Sequence, residues 1–393
     1  MTFSKISASS LRALLEYTRG RERAILRLLR ELVEIESPSL DKAAVDRCGA
    51  RVAKEWRKRG ADVRIVRNAK RGDIVRAEIS PASHAHAKVR GQIMILGHLD
   101  TVYPIGTIAK MPFRISGGRA WGPATFDMKG GLVLALFAVD ALRAARVPFE
   151  RKLVFLWTSD EEIGSDASRR AIATEARRSD SVLVLEPPYG IDGRAKTRRK
   201  GIGELVIEIH GRAAHAGINP EEGVNAAHEL AFQMARLIDM NDPRRGITVQ
   251  VNVISSGNWA NVVPDFARAE VDVRFSRAAD AKPLEKKLLS LRPVIKGARI
   301  VVRGGMNRPP LERTAEVQAL FYHARGIAKE LGFELGEAST GGGSDGSLTA
   351  AMGVPTLDGM GAVGDGAHSP RECVFVRALT QRAALIAGLL ATI

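Results

Sequence analysis

The sequence predicts an α/β fold: a mixed, mostly parallel sheet flanked by helices, with a smaller α+β unit inserted into it. Three observations predict this. Short continuous apolar runs, Ile93-Met94-Ile95-Leu96, Leu153-Val154-Phe155-Leu156-Trp157 and Val182-Leu183-Val184-Leu185, read as strands buried on both faces. Helical patterns alternate with them, most plainly over 130–146, where Leu132, Leu134, Leu136, Val139 and Leu142 share one side. Beyond Lys200 the strands alternate polar and apolar residues, as a sheet with one exposed face does.

In chain order, a helical lead covers 10–35, and a second helix at 43–59 precedes a strand at 62–67. Pro81 to His86 reads as an exposed loop, so His84 and His86 are expected to be solvated. After the strands at 93, 153 and 182 comes a different order: strand (204–209), helix (225–239), two strands (248–254 and 268–275), a further helix and a strand (299–302). That order is the signature of a small ferredoxin-like α+β unit. The main domain is therefore expected over 1–200 and 309–393, with the insert at 201–308. It resumes with a helix at 314–331, a strand at 354–357 and a last helix at 377–391.

A chain of 393 residues has room for two domains and a large core. With 45% hydrophobic and 26% charged residues it has the balance of a globular protein rather than a disordered one. The net charge of +15 raises nucleic acid or an acidic substrate as partners. Pairs such as Arg169-Arg170 and Arg177-Arg178 lie on expected helix faces and not in one arm, which argues against nucleic acid. Cys48 and Cys373 have no C-x-x-C spacing, so neither a disulfide framework nor a thiolate metal site is expected. The first 40 residues are too charged for a signal peptide and no run approaches a membrane span, so the expected setting is cytoplasmic.

The chemistry gathers where the apolar runs end. His98-Leu99-Asp100 follows the first, Asp160-Glu161-Glu162 the second, and Glu186 the third. In parallel sheets, ligands bind beyond the carboxyl ends of the strands, so three segments deliver metal-ligating side chains to one rim. Residues two apart on a strand share a face, so Asp100 can fix the tautomer of His98. One of two adjacent glutamates can hold a metal while its neighbour serves as base. Glu186 precedes Pro187-Pro188, which excludes ordinary helix capping; a glutamate at a buried strand end needs a cation. Asp127 lies just before Gly130-Gly131, whose crowding of a turn suggests close approach to a ligand. His368 sits in the glycine-bearing loop Gly364-Asp365-Gly366-Ala367-His368.

These segments, Gly-His-Leu-Asp-Thr-Val, Phe-Asp-Met-Lys-Gly-Gly, Ser-Asp-Glu-Glu-Ile-Gly-Ser, the glutamate after the next strand and Ala-His-Ser-Pro, resemble the M20 family of co-catalytic zinc metallopeptidases, and most closely its glutamate carboxypeptidase branch. The match runs from Leu32 to the C-terminus in the family's order and spacing. The resemblance implies a zinc-exopeptidase-like fold with a lid domain, a homodimer through that lid, and two zinc ions per subunit, replaceable by cobalt or manganese. Asp127 would bridge the metals, with His98 and Glu186 completing one and Glu162 and His368 the other. Asp100 would orient His98, and Glu161 would be the general base. The family often has a cis peptide after its bridging aspartate, here Asp127-Met128. Gly211-Arg212-Ala213-Ala214-His215 resembles the lid motif whose histidine reaches a neighbouring subunit's site, so His215 would stabilise the oxyanion. Asn261, Arg274, Arg308 and Gly342 match substrate-contact segments, and Arg274 or Arg308 would clamp a substrate carboxylate.

The implied activity is hydrolysis of an amide beside a free carboxylate in a small peptide or N-acyl amino acid. A glutamate-type carboxypeptidase comes first; an N-acyl-amino-acid deacylase or dipeptidase comes next. A non-catalytic basic binding protein on the same scaffold is the alternative from another class. It would have lost ligands or the base, whereas all seven metal-site positions named above are chemically competent.

Overall fold

The computed structural model describes residues 3–81 and 91–393, so His84 and His86 lie outside the described residues. The chain forms two compact units. One comprises Met1–Arg198, Arg313–Thr340 and Ser344–Ile393; the other comprises Arg199–Glu312 and Gly341–Gly343. The second unit thus takes Gly341–Gly343 from the stretch that the sequence reading gave wholly to the main domain.

The first unit is built on a six-stranded sheet. In space its strands run Asp62–Val66, Ile74–Ile79, Lys152–Thr158, Gln92–His98, Ser181–Val184 and Thr356–Leu357. The last four are mutually parallel, and the first two add to them as antiparallel neighbours. Alternate residues serve opposite layers. Ile93, Ile95, Leu153, Phe155 and Trp157 enter one apolar cluster, and Met94, Leu96, Leu156, Val182 and Val184 the other. Helices Lys42–Lys58, Gly130–Ala144 and Val376–Thr392 contribute to the first cluster, and Ile172 and Ala176 of helix Arg169–Ala176 to the second. Burial on both faces is why these strands read as unbroken apolar runs.

Strand Ile74–Ile79 escapes such a reading because it carries Arg76 and Glu78. Their charges are paired: Arg76 with Glu175 at 2.8 Å and with Glu78 at 2.7 Å, and Glu78 with Lys152 at 2.9 Å. The helical lead is two helices, Ala8–Gly20 and Glu22–Glu34, broken at Arg21, whose N–H turns back to Thr18 and Arg19 carbonyls. A second, antiparallel sheet joins Gly364–Asp365, Cys373–Phe375, Arg119–Trp121 and Arg114–Ser116. Its two- and three-residue strands are too short to show a period.

The inserted unit is a four-stranded antiparallel sheet in the order Thr248–Ser256, Phe266–Phe275, Gly201–His210, Arg299–Arg308. Helices Ala226–Ile238 and Ala278–Leu289 pack on it through Leu230, Leu237, Leu284 and Leu288 against Leu205, Ile207, Val271 and Val273. Both the chain order and the spatial order of the strands are ferredoxin-like. Among the described residues, no helix is long and apolar enough to cross a membrane.

The core of the first unit turns on Phe155, fully buried with its ring centroid 4.0 Å from that of Trp56. Phe155→Ala is expected to lower the unfolding free energy by about 3–5 kcal/mol, read from the urea midpoint of the first unit's transition.

Candidate metal centre

Three parallel strands end on one edge and carry the centre. His98 closes Gln92–His98. The chain leaving Thr158 turns through Asp160 into the short 3-10 turn Glu161–Ile163, and Glu186 follows Val184 by two residues. Asp160 does not face the centre. Its carboxylate accepts from Ala167 N–H at 2.7 Å and from the Ser168 hydroxyl, closing the loop behind the two glutamates. Asp127 comes from the turn Thr125–Lys129 before helix Gly130–Ala144, and its peptide to Met128 is cis. His368 comes from the loop linking two short antiparallel strands, with φ of 59°, a backbone region that non-glycine residues seldom adopt.

These segments meet. His98 Nε2 lies 3.3 Å from Asp127 Oδ1 and 3.3 Å from Glu186 Oε1. His368 Nε2 lies 3.4 Å from Asp127 Oδ2 and 3.2 Å from Glu162 Oε2. Asp127 therefore turns one oxygen toward each imidazole. A carboxylate oxygen of Glu161 falls within 4.8 Å of ligand atoms of both His98 and Glu186. His98 Nε2, Asp127 Oδ1 and Glu162 Oε1 are buried atoms without a hydrogen-bond partner. Ligands about 2.1 Å from one tetrahedral ion stand about 3.4 Å apart, which is the spacing found here. Imidazole and carboxylate donors so spaced, with orphaned atoms turned inward, fit divalent cations of the zinc type.

Asp100 holds the centre differently from the sequence expectation. His98 Nδ1–H donates to the Asp100 carbonyl at 2.8 Å, which leaves Nε2 as the lone-pair donor, while the nearer carboxylate oxygen is 3.5 Å away. The Asp100 carboxylate instead accepts the backbone N–H of Glu161 and of Glu162, both at 3.2 Å, and the Ser39 hydroxyl at 2.7 Å. It thereby sets the turn that carries both glutamates. The glycines after Asp127 also have another purpose. A Cβ on Gly130 would come within 2.7 Å of Thr125 O and Ala362 Cβ, and one on Gly131 would strike Leu185 O. Gly131 lets the helix close onto the strand end that bears Glu186, and Gly130 lets it close onto Ala362 and the turn that bears Asp127.

Sequence reasoning passed over Glu372 and Tyr103. Buried Glu372 accepts the N–H of Phe126 at 2.8 Å and of Asp127 at 2.9 Å, and the Tyr103 hydroxyl at 2.5 Å. The available signal was an acid directly before the apolar Cys373-Val374-Phe375, the mirror of the pattern that marks Glu186.

The remaining expected site residues belong to the second unit, where they form two groups. His215 lies in Ala214–His215, paired with Val262–Val263, and Ala216 N–H donates to the Asn261 carbonyl at 2.9 Å. Both His215 and Asn261 are exposed. Arg274 and Arg308 are each opposite Ile202 at the far end of strand Gly201–His210. The Arg274 fork closes on Asp272 (Nε–Oδ1 2.9 Å, Nη2–Oδ2 2.7 Å), and its Nη1 donates to Gly341 O at 3.1 Å. Arg308 is buried, and a Cβ on Gly343 would approach its Cδ to 2.8 Å. Arg199 Nη1 donates to the carbonyls of Gly342 at 3.1 Å and Gly343 at 2.8 Å. Ile202 and His210 are eight residues apart on this strand, ~26 Å at about 3.3 Å per residue, so the arginines sit at one end and the segment of His215 follows the other.

Comparison with known proteins agrees with this geometry. Residues 94–392 match the family model described as peptidase family M20/M25/M40. The chain is 31% identical over 377 residues to carboxypeptidase G2 of Pseudomonas sp. (strain RS-16), covering 93% of this chain and 88% of that one. It is 30% identical over 315 residues to a succinyl-diaminopimelate desuccinylase of Dechloromonas aromatica, covering 74% and 80%. Among solved structures, an aminopeptidase from Bacillus cereus superposes with a TM-score of 0.77 at 20% identity, covering 94% of this chain and 98% of that one.

The electrostatics of the centre call for cations. Burial pushes His98 toward its neutral form, but Asp100, Asp127 and Glu186 outweigh it and hold the imidazole's pKa well above the ordinary histidine value. Asp127 and Glu162 raise His368 to about 11 against a smaller effect of burial. Asp127 is raised by burial but brought below the usual carboxylate range by His368 and His98. Without metal the His368 imidazole is thus protonated at neutral pH and that of His98 is shifted toward its protonated form, so ligation must displace protons. Zinc loading is expected to release protons, seen as a dependence of the calorimetric heat on the buffer's ionisation enthalpy. Affinity is expected to weaken as pH falls from 8 to 6.

Proposed function

This chain belongs to peptidase family M20/M25/M40, and from that premise we propose that it is a metallo-carboxypeptidase of the glutamate type, hydrolysing an amide beside a free carboxylate in a small peptide or N-acyl amino acid. The observation that carries the chemistry is Asp127, with one oxygen 3.3 Å from His98 and the other 3.4 Å from His368. The likeness to carboxypeptidase G2 over 93% of the chain favours the carboxypeptidase reading.

Two zinc ions, or cobalt or manganese in their place, would be held with Asp127 shared, His98 and Glu186 on one side and His368 and Glu162 on the other. Bound there, they would supply Lewis acidity to the scissile carbonyl and acidify a water. Glu161, half-buried and near the His98–Glu186 side, would take the water's proton and pass it to the leaving amine. Asp100 would keep both glutamates in place through their backbone N–H groups. Arg274 or Arg308 would clamp the substrate carboxylate, and Arg274 also holds the Gly341 carbonyl and so the loop of Gly342. His215, beside Asn261, would stabilise the oxyanion in a second copy of the chain. Its place past the end of strand Gly201–His210 opposite to the arginines of its own unit supports that assignment and, with it, a homodimer through the inserted unit. Cys48 and Cys373, both free and buried, suit the reducing cytoplasm.

A second reading, an N-acyl-amino-acid deacylase, is favoured by the desuccinylase relative at 30% identity over 74% of the chain. Turnover of peptidyl- and N-acyl-glutamates, against the aspartates and neutral amino acids, separates the two. In either case a chelator is expected to abolish activity and zinc to restore it. Glu161→Gln is expected to keep its metal, measured by elemental analysis, yet lose turnover by about 10²–10⁴-fold; near-normal turnover would remove Glu161 from the role of base.

A further inference from the structure

We infer that Glu372 and Tyr103 form a strap that positions the metal ligands, binding three ligand-bearing segments into one unit. This rests on the proposal that the centre holds metal, and it concerns residues outside the ligand set.

Glu372 is fully buried, and among the described residues its hydrogen-bond partners are two backbone N–H groups and a phenol. A carboxylate so placed is costly unless its lone pairs are satisfied. Its Oε1 accepts two successive backbone N–H groups, Phe126 and Asp127, at 2.8 and 2.9 Å. This fixes the peptide planes that aim the Asp127 oxygens at the two imidazoles. Its Oε2 accepts the Tyr103 hydroxyl at 2.5 Å. Tyr103 lies five residues beyond His98, on the loop that also carries Asp100. The same hydroxyl stands 3.1 Å from the carbonyl of Ser369, the neighbour of His368. Glu372 itself donates its N–H to Ser369 O at 3.1 Å and accepts Gly122 N–H on its own carbonyl at 3.2 Å. The loop after His98, the turn of Asp127 and the loop of His368 thus converge on one carboxylate and one phenol.

Neither residue reaches a ligating atom through its side chain, so each acts by holding ligands in place. Charge-assisted hydrogen bonds suit that purpose because they are short and directional. His368 needs such support: it is half exposed, at a left-handed backbone position, and no regular element carries it.

The test measures zinc affinity by competition with a chromophoric chelator, alongside the melting temperature of the metal-free protein. Tyr103→Phe removes one hydroxyl and leaves the fold's apolar contacts. It is expected to weaken zinc binding by about tenfold or more, beyond what the small drop in metal-free melting temperature from one lost hydrogen bond accounts for, and to regain turnover when zinc is raised. Glu372→Ala is expected to weaken zinc binding further, with Glu372→Gln recovering part of it, since the amide oxygen can still accept both backbone N–H groups. Wild-type zinc affinity in Tyr103→Phe and Glu372→Gln overturns the strap, as does a loss of affinity that only tracks a loss of metal-free stability. Wild-type protein that binds no zinc at all sinks the metal-centre reading instead, so the two failures are distinguishable.

Discussion

Asp127, Glu162 and Glu186 point carboxylate oxygens, and His98 and His368 point ring nitrogens, into one small volume with neighbouring donors only 3.2–3.4 Å apart. Three mutually repelling acids in a largely buried place carry a desolvation cost of several kcal/mol each unless counter-charge is present. Protonated imidazoles can supply part of that charge, and the raised pKa values of both histidines express it. Divalent cations supply it fully while also satisfying the lone pairs that hydrogen bonds leave idle. Keeping such a set converged is the demand to which the surrounding structure answers.

The answer is rigidity from several directions at once. Parallel strands buried on both faces cannot slip register without exposing an apolar side, so His98, the 161–162 turn and Glu186 leave the sheet at fixed heights. A Cβ on Gly97 would come within 2.8 Å of Met128 Sδ, and His98 N–H itself lies 3.2 Å from that sulfur. The residue that follows Asp127 is therefore packed directly under the first histidine. Gly131 and Gly361 both press against the Leu185 carbonyl, one residue before Glu186. Small residues here are a packing device: each missing side chain lets one ligand-bearing segment lean on another.

What the sequence disclosed follows from this physics. The central strands were legible because burial on both faces leaves unbroken apolar runs, and the inserted unit because its strands alternate, as in Gly201–His210. Acids and histidines directly after such runs were conspicuous for the same reason. Strand Ile74–Ile79 was hidden by Arg76 and Glu78, whose burial depends on partners far away in the chain. Asp100 was expected to orient His98 through its carboxylate; the reach of that carboxylate to the 161–162 backbone depends on how two strand ends lie side by side, which spacing along one strand does not encode. Glu372 was missed because its bonds to Phe126 and Asp127 cross some 245 residues of sequence. Gly130 and Gly131 were read as a sign of close approach to a ligand; Thr125 and Ala362 crowd the first and Leu185 the second, and such crowding looks the same in sequence as crowding by a ligand.

The inserted unit poses a different constraint. Its functional candidates sit at opposite ends of one ten-residue strand, His215 and Asn261 past one end and Arg274, Arg308 and Gly342 at the other. A strand held between two antiparallel neighbours, in a sheet on which two helices pack, does not fold back on itself, so the two ends of one copy stay apart. The edge strand Thr248–Ser256 has neighbours on one side only and exposes Val253 and Ile254 at 48% and 51%. An edge left this bare and apolar is one that solvated monomers usually blunt. The eight residues from Ile202 to His210, at about 3.3 Å each, thus keep the arginine end of the unit away from the end that leads to His215.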